Sequence, residues 1–506
     1  MNKKGFTFIE IIVVIALLGA IMLLVVPNIT KNFKESKKRL FYDNVLGIYS
    51  SASRTYFSQD NASNKSFSNT GVKLDVDISD DITYRVKVDS YGAVLSIYVT
   101  DGTYTYKLDN ANGISKKDIK LANVIEGVIE GKVDSYLTLY EQLLEDNPTI
   151  KTRTSFNTIF TETNTGTLYK ATESIANSPA KDVYYFAGNA KNNWVKFGKY
   201  QSENVAYRGY YSATSNDFIE YLTMDECNNA ASYNYNCAPY KYASAGDPIY
   251  WRIIRTNHDG SIRLLYAGTS PDTTEGYIGR SAFSSSYNDL MYLGYMYGTS
   301  GSQANNRTNT NNSTIKTYID NWYSTYLSSY SKYISTEAVY CNDRKAPSYS
   351  ASSNFFYYVS TRLNAGNPTY NCEDSSDAFS GSTTGGGNGK LTYPIGLMTA
   401  DEITYAGGKF GGELTSPYAW YYLNSAGSSI TGIRWWWLLS PGRLSYGTVE
   451  SWFVRGSDYP GIMYDSGGVT DSRGVRPAIS LKTCTKYSKG NGTASSPYEI
   501  QMDGGC

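Results

Sequence analysis

The chain lacks most of the residue patterns on which enzymes are built. Its 506 residues include one histidine, His258, and its six cysteines contain no C-x-x-C pair. A single histidine in a hairpin turn speaks against a Ser-His-Asp or Cys-His site, and the cysteine spacing speaks against zinc. There is no phosphate-binding loop and no G-x-G-x-x-G motif after a strand. We therefore expect no enzymatic activity, no catalytic residue, no cofactor and no metal.

Charge is scarce as well. Charged residues make up 18% of the chain, and 46 Lys and Arg balance 46 Asp and Glu. This balance excludes a globally basic nucleic-acid binder, so we expect no nucleic-acid partner. The 49 tyrosines are typical of recognition surfaces, where tyrosine gives contact area at a low entropy cost. A tyrosine-rich β core is the alternative interpretation.

An even number of cysteines in an exported chain indicates three disulfides. Six cysteines allow fifteen pairings, and pairing of nearest neighbours is the simplest of them. Free buried thiols remain the alternative. The simplest pairs are Cys227 with Cys237, Cys341 with Cys372, and Cys484 with Cys506.

The most informative stretch is the first thirty residues, MNKKGFTFIEIIVVIALLGAIMLLVVPNIT. From Phe6 to Val26 the run is apolar except for Thr7 and Glu10, and a helix of this length covers the hydrocarbon core of a bilayer. No small-residue cleavage site follows the run, as a secretory signal peptide requires. A plain membrane anchor explains the length but not Glu10, whose burial in lipid costs about 2.5–3.5 kcal/mol without a partner.

The motif GFTFIE, followed by this run, closely resembles the type IV prepilin (class III) signal. The resemblance implies that prepilin peptidase removes the leader 1–5 after Gly5 and that Phe6 becomes a methylated N-terminus. It implies that Glu10 pairs with the Phe6 amine of a neighbouring pilin subunit, and that Pro27 kinks the helix. The protein would then lie in the cell membrane, crossing it once, before it joins a pilus on the cell surface.

Periodicity predicts the rest of an α+β fold. Apolar residues at helical spacing extend the transmembrane and assembly helix over 6–57, with Phe33, Leu40, Phe41, Val45, Ile48, Tyr49 and Ala52 on its sheet-facing side. Alternating residues and the Asp101-Gly102 turn predict an antiparallel head sheet over 58–125, an arrangement that resembles the pilin head. We interpret 126–180 as a linker, 181–484 as a larger, mixed and mainly β domain, and 485–506 as a tail.

The region 181–484 contains YWRIIRTNHDGSIRLLY, YPIGLMTADEITYAG, WWLLSPG and GVRPAISL. These segments resemble a module of Firmicutes surface proteins, the domain of unknown function numbered 6273. They are also similar to the C-type-lectin-like fold of formylglycine-generating enzymes. The reactive cysteine pair and copper of those enzymes are not carried over, because the cysteines here have no such local pattern.

The three consecutive tryptophans Trp435, Trp436 and Trp437 are the candidate ligand-binding residues of this region. In a strand, Trp435 and Trp437 share one face and Trp436 takes the other. One face could stack on a sugar, and packing of all three in the core is the alternative.

Together these features predict a type IV pilin-like subunit with a large displayed domain for adhesion to a glycan or host-surface ligand. One alternative is a pseudopilin of a type II secretion or DNA-uptake system. Another is a surface enzyme tethered by the helix.

Overall fold

The computed structural model describes residues 8–58, 65–68, 73–89, 91–110, 112–127, 138–176, 178–210, 218–230, 236–347, 354–412, 420–459 and 461–502. The chain divides into two compact units, unit 1 (Met1–Tyr136) and unit 2 (Leu137–Cys506). The described elements mix helices with mainly antiparallel sheets, and unit 2 is mostly β. This agrees with the predicted α+β class.

Unit 1 consists of one long helix and a small sheet. The helix α1 (Phe8–Ser58) is 51 residues long. Five strands follow in the antiparallel order β1-β2-β3-β4-β5. They are β1 (Lys65–Ser68), β2 (Thr83–Val88), β3 (Val94–Thr100), β4 (Tyr104–Asp109) and β5 (Ile125–Glu126), with a 3-10 turn at Leu121–Asn123.

The second half of α1 is the part that packs on this sheet. Phe41, Val45, Ile48 and Ala52 are buried, and their spacing of three and four residues puts them on one helix face. Leu40 is 66% exposed, so its predicted place in the core is wrong. It precedes Phe41 by one residue, and one residue along a helix is a rotation of about 100°, which turns Leu40 away from the buried face.

Phe33 is also exposed, at 60%, and its predicted burial is likewise wrong. It lies about two helical turns before the buried stripe begins at Phe41.

Within the described residues, no helix is both long and apolar enough to cross a membrane. The predicted transmembrane segment is therefore not confirmed.

Unit 2 contains short helices and many strands. Its α-helices are α2 (Leu139–Asp146), α3 (Met224–Asn229), α4 (Gln303–Asn306), α5 (Thr314–Tyr326), α6 (Tyr358–Asn364) and α7 (Ala400–Ala406). Its 3-10 turns are Leu290–Leu293, Ser328–Tyr333, Ser375–Asp377 and Trp420–Tyr422.

The strands of unit 2 are, in chain order, β6 (Thr149–Lys151), β7 (Thr163–Asn164), β8 (Thr167–Glu173), β9 (Lys181–Tyr185), β10 (Asn189–Ala190), β11 (Trp194–Lys199), β12 (Asn204–Tyr210), β13 (Phe218–Tyr221), β14 (Asn236–Ala243), β15 (Pro248–Thr256), β16 (Ile262–Tyr266), β17 (Arg280–Ser281), β18 (Met296–Tyr297), β19 (Asn311–Asn312), β20 (Tyr340–Cys341), β21 (Phe355–Phe356), β22 (Ala378–Phe379), β23 (Gly396–Leu397), β24 (Lys409–Phe410), β25 (Trp436–Ser445), β26 (Thr448–Val454), β27 (Ile462–Gly468), β28 (Arg473–Gly474), β29 (Pro477–Leu481), β30 (Tyr487–Lys489) and β31 (Tyr498–Ile500).

Three sheets organise unit 2 as far as it is described. The largest has the order β23-β29-β16-β15-β11-β31-β30, and β9, β8 and β6 extend it from β15. The second has the order β17-β28-β25-β26-β27-β24, with β21 on β25. The third is a three-stranded sheet, β13-β12-β14. The predicted tail contributes β30 and β31 to the largest sheet, so it is part of the unit.

The interval 126–180, which we interpreted as a linker, needs a similar correction. Its helix α2 buries Leu139 and Leu143 in the main core of unit 2, and its strand β8 pairs with β9 along five residues. The segment has few large apolar residues, so its composition resembles a linker. Leu168 and Ile175 are also buried, whereas Ile150 stays exposed.

Local turn and cap signals were predicted correctly. The Thr399 hydroxyl accepts a hydrogen bond from the Glu402 amide, the Glu402 carboxylate accepts one from the Thr399 amide, and Gly407 ends α7 with a φ of 124°. This is the predicted capping box with its glycine stop. The hairpin around residues 257–260 joins β15 to β16 as expected.

We predict that Leu143→Ala lowers the free energy of unfolding of unit 2 by about 2–5 kcal/mol, because it empties a fully buried site. The adjacent Leu144 is only partly buried, so Leu144→Ala is the matched control and should cost less than half as much. Denaturant unfolding followed by tryptophan fluorescence measures both. Equal and small effects of the two substitutions would restore the linker interpretation.

Candidate functional site

The residues of the N-terminal signal are only partly described. Gly5 and Phe6 lie outside the described residues. Glu10 and Pro27 belong to α1, which is continuous through both positions, but their side chains lie outside the description. The predicted roles of these four residues in cleavage, methylation and assembly stay predictions.

The cysteines pair with their neighbours where the structure describes them. Cys227 is bonded to Cys237, and Cys341 to Cys372, which confirms two of the three predicted pairs. Cys484 is also in a disulfide, but its predicted partner, Cys506, lies outside the described residues.

The three tryptophans do not form an open stacking surface. Trp436 and Trp437 are fully buried in the core, so neither can contact a ligand, and their candidacy is corrected. Trp435 is partly buried, and its ring stacks on Phe453 with centroids 5.3 Å apart. The guanidinium of Arg455 lies 4.2 Å from the same ring. The apolar run around the tryptophans is therefore better explained by core packing.

The best candidate for a ligand site is a groove of about 670 Å³ between α5 and the antiparallel strands β12 and β13. Five aromatic side chains line it, together with amides, hydroxyls and two charged residues. Its lining comprises Asn204, Val205, Ala206, Ile219, Glu220, Tyr221, Leu222, Arg280, Ser281, Ala282, Ser285, Tyr297, Asn312, Ser313, Thr314, Thr317, Tyr318, Asn321, Trp322, Thr325, Tyr326 and Ser472.

The sequence of α5 explains why it presents a polar face to this groove. Ser313 caps the helix by accepting a hydrogen bond from the Lys316 amide at 3.2 Å. The groove residues of α5 recur at intervals of three and four residues, so they lie on one face. They include Thr314, Thr317, Tyr318, Asn321 and Thr325. The opposite face is buried, with the apolar Ile315, Ile319 and Tyr323. It also contains the buried ion pair of Lys316 and Asp320.

Gly279 is needed where the groove meets the chain before β17. Its φ is +143°, and a Cβ at this position would lie 1.9 Å from the Tyr318 hydroxyl oxygen. Only glycine leaves room for Tyr318 in this conformation. The hydroxyl of Tyr318 in turn donates to the carbonyl of Ile278 at 3.4 Å, so the ring has a fixed place in the groove wall.

The charges of the groove are already engaged within the protein. The Glu220 carboxylate accepts hydrogen bonds from Arg208 Nε at 3.0 Å, from the Tyr242 hydroxyl and from the Arg280 amide at 2.9 Å. The Arg280 guanidinium donates to the carbonyls of Phe218, at 2.8 Å, and Ser472. What remains for a ligand is a set of hydroxyls, amides and ring faces, which suits a neutral polar molecule.

A second cluster of charges is buried beside β15 and leaves no room for a substrate. Arg255 donates to Glu173 and to Glu402, both at 2.9 Å, and Arg263 donates to Glu402 at 3.0 Å. The cavity next to this cluster is about 20 Å³, enough for one water molecule. The role of this cluster is therefore structural, because its ion pairs link segments that are far apart in the sequence.

His258 belongs to the same cluster. Its Nδ1 lies 3.3 Å from the Glu173 carboxylate and its Nε2 lies 2.9 Å from the Gly385 carbonyl. Burial lowers the pKa of His258, but the hydrogen bond and charge of Glu173, with Asp259, outweigh it and raise the pKa overall. Burial raises the pKa of Glu173, but Arg255 and His258 outweigh it and bring the pKa to about 2. Both ring nitrogens of His258 thus face acceptors inside the protein, which makes its role structural.

Sequence reasoning did not find the groove. The only local signal is the run of Thr and Asn at helical spacing on α5, which looks like an ordinary solvated face. The groove forms because β12 and β13 lie against that face. These strands precede α5 by about a hundred residues in the sequence, so no local sequence pattern indicates the contact.

Comparison with known proteins supports the N-terminal signal. Residues 1–26 match the family model of the prokaryotic N-terminal methylation motif. The motif supports a type IV pilin-like prepilin signal and implies processing by prepilin peptidase and assembly with other pilins. Neither the curated proteins nor the solved structures give a match. The resemblance of 181–484 to the domain of unknown function 6273 is not shown and stays a prediction.

We predict that His258 makes stability depend on pH. Because its pKa is raised in the folded protein, its contribution is fully present below the unfolded value of about 6.5 and is lost as pH rises through the folded value. The stability difference between the wild type and His258→Gln should therefore shrink from pH 5 to pH 9, by at most about 1.4 kcal/mol per pH unit. Denaturant unfolding at several pH values measures it, and a difference that stays constant with pH would contradict the assignment.

Proposed function

We propose that the chain is a type IV pilin-like subunit of a cell-surface filament, with unit 1 as its assembly module and unit 2 as a displayed ligand-binding module. The observation that carries the proposal is the methylation motif at 1–26, which runs directly into the 51-residue helix α1. Prepilin peptidase and other pilins are its partners, and it lies in the cell membrane before assembly.

The two halves of α1 differ in exposure, which supports separate roles in assembly and in the packing of the head. The side chains of Phe8, Ile9 and Ile15 are 77%, 72% and 63% exposed, whereas Val45, Ile48 and Ala52 are fully buried. An exposed apolar helix of this kind is stable only when lipid or other subunits cover it. The half after about residue 40 is held by its own sheet, which leaves the first half available for assembly.

Glu10 gives the assembly its register in this proposal. A carboxylate within an apolar helix bundle needs a cationic partner, because an unpaired buried charge costs several kcal/mol. The amine of Phe6, freed by cleavage after Gly5, is the partner that the motif provides on a neighbouring subunit. A pseudopilin carries the same signal, and the two differ in whether long surface filaments form.

We infer that the groove of unit 2 binds a glycan or another neutral polar surface ligand. Its volume of about 670 Å³ is within the range of small-molecule sites. The partly buried ring of Tyr318 offers contact surface, and Asn321, Thr317 and Thr325 offer hydrogen bonds. No catalytic role is part of the proposal, since the charged groups of the groove are engaged in structural hydrogen bonds.

The assembly proposal predicts that Glu10→Gln still loses its leader but enters filaments at about a tenth of the wild-type level or less, because a charge-assisted contact of about 1.5–3 kcal/mol is lost. Glu35→Gln is the matched control, since Glu35 is an exposed carboxylate on the same helix. Immunogold labelling of sheared surface filaments measures incorporation. If Glu10→Gln enters filaments at the wild-type level, the proposed role of Glu10 in subunit register is wrong. If the wild-type protein itself never appears in filaments, the pseudopilin is favoured.

The binding proposal predicts that Thr317→Trp blocks the groove. The full-length protein should bind at least one neutral glycan on an array, and Thr317→Trp should weaken that binding at least about tenfold, by filling space that the ligand needs. Ser324→Trp is the control, because Ser324 is exposed on α5 but does not line the groove. Binding that Thr317→Trp leaves unchanged, or a wild type that binds no glycan, would contradict the inference.

A further inference from the structure

A second cavity, separate from the groove, opens at the end of unit 2 where β10, β11 and β15 meet the segment after Trp420. Its volume is about 580 Å³. Its lining combines polar and apolar groups, with buried residues at the floor and exposed ones at the mouth. The lining comprises Asn189, Ala190, Lys191, Trp194, Tyr250, Arg252, Pro271, Asp272, Leu423, Asn424, Ser425, Thr493, Ala494 and Ser495.

Arg252 forms the floor of this cavity, and its side chain is almost completely buried, with the residue 3% exposed. Its guanidinium donates to the side-chain oxygen of Asn193 at 2.8 Å, to the Ala190 carbonyl at 3.0 Å and to the Leu423 carbonyl at 3.1 Å. Its plane also lies 4.2 Å from the ring of Trp194. All three acceptors are neutral, and no described carboxylate forms an ion pair with Arg252.

Three other buried arginines of unit 2 have carboxylate partners, which Arg252 lacks among the described residues. Arg208 is paired with Glu220, Arg255 with Glu173 and Glu402, and Arg344 with Asp377. A buried charge without a counter-charge is costly, because neutral hydrogen bonds do not replace the lost hydration fully. Guanidinium stays protonated in proteins, so Arg252 keeps a positive charge at the cavity floor.

Two further cations, Arg476 and Lys191, add to the positive potential around Arg252. Burial lowers the pKa of the Arg252 guanidinium strongly, and the positive charge of Arg476 lowers this pKa further. Burial and then the charge of Arg252 lower the pKa of Lys191, which is exposed at the cavity mouth. Arg476 is fully buried and donates to the carbonyls of Tyr266 and Tyr421. It too has only neutral acceptors among the described residues.

One acid faces the cavity, but it is engaged. Asp272 lies at the mouth and accepts a hydrogen bond from the Ser425 hydroxyl. It forms no ion pair with Lys191 or Arg252 in the described part of the chain. The cavity therefore has a cationic floor, one cation and one acid at its mouth, and hydroxyls and amides between them.

We propose that this cavity is a binding site for a small ligand that carries a carboxylate, sulfate or phosphate group. The anionic group lies over Arg252 and Lys191, where a guanidinium and an ammonium give charge-assisted hydrogen bonds. Three of the five N–H groups of Arg252 have acceptors among the described residues, which leaves two for the ligand. The polar remainder of the ligand contacts Thr493 and Ser495 at the mouth.

The test is calorimetric titration of the purified full-length chain at low ionic strength. The probes are sodium glucuronate, inorganic sulfate and inorganic phosphate, with glucose as the neutral match for glucuronate. We expect at least one of the three anions to bind, about tenfold more tightly than glucose. Binding of glucuronate alone identifies a sugar acid, and binding of sulfate or phosphate identifies a free or esterified oxyanion.

Surface variants keep the test independent of folding, because Arg252 itself is part of the core. Lys191→Glu should weaken anion binding about tenfold by reversing a charge at the mouth. Asp272→Asn should strengthen it about two- to fivefold by removing a repulsion. Lys390→Glu, at an exposed position away from the cavity, is the matched control.

Three results would overturn the proposal. They are a wild type that binds none of the three anions, glucose binding as tightly as the anion that binds best, and anion affinity that Lys191→Glu and Lys390→Glu leave equal.

Discussion

The burial of positive charge constrains unit 2 more than any other interaction. Several of its arginines lie in strands that are inside the molecule, and each guanidinium must find acceptors that fold back to it from distant parts of the chain. Arg255 brings Glu173 of β8 and Glu402 of α7 to the same strand. Arg476 holds Tyr266 and Tyr421. The contacts that satisfy these charges also hold together strands, a helix and a turn from distant parts of the chain.

Unit 1 depends on a difference between the two halves of α1. Its own sheet covers the second half, whereas the first half is exposed where its side chains are described. The stripe of Phe41, Val45, Ile48 and Ala52 anchors the head, while the apolar side chains before residue 19 stay exposed where they are described. Exposed apolar surface of that extent is stable only in lipid or against other subunits. The same helix thus supports both the stability of the head and its assembly into something larger.

How much of the fold could be predicted from the sequence depends on how far apart in the chain the interacting residues are. The capping box of Thr399 and Glu402 and the turn at Asp101-Gly102 are encoded within a few residues, and both were predicted correctly. The place of α2 in the core could not be predicted, because it depends on Leu139 and Leu143 meeting strands far along the chain. The spacing of the three tryptophans allowed both a stacking face and packing in the core, and only the surroundings of Trp436 and Trp437 show that these two are core. The groove and the Arg252 cavity are formed by residues separated by about one to three hundred positions, which no local pattern reports.

The proposed function depends on processing of the chain as a prepilin and on its display at the cell surface. The most direct measurement is mass spectrometry of the N-terminal peptide of the native protein recovered from the cell surface. We expect a chain that begins at Phe6 and carries one methyl group on its amine. A surface protein that still begins at Met1, or that is cut at any other position, would contradict it.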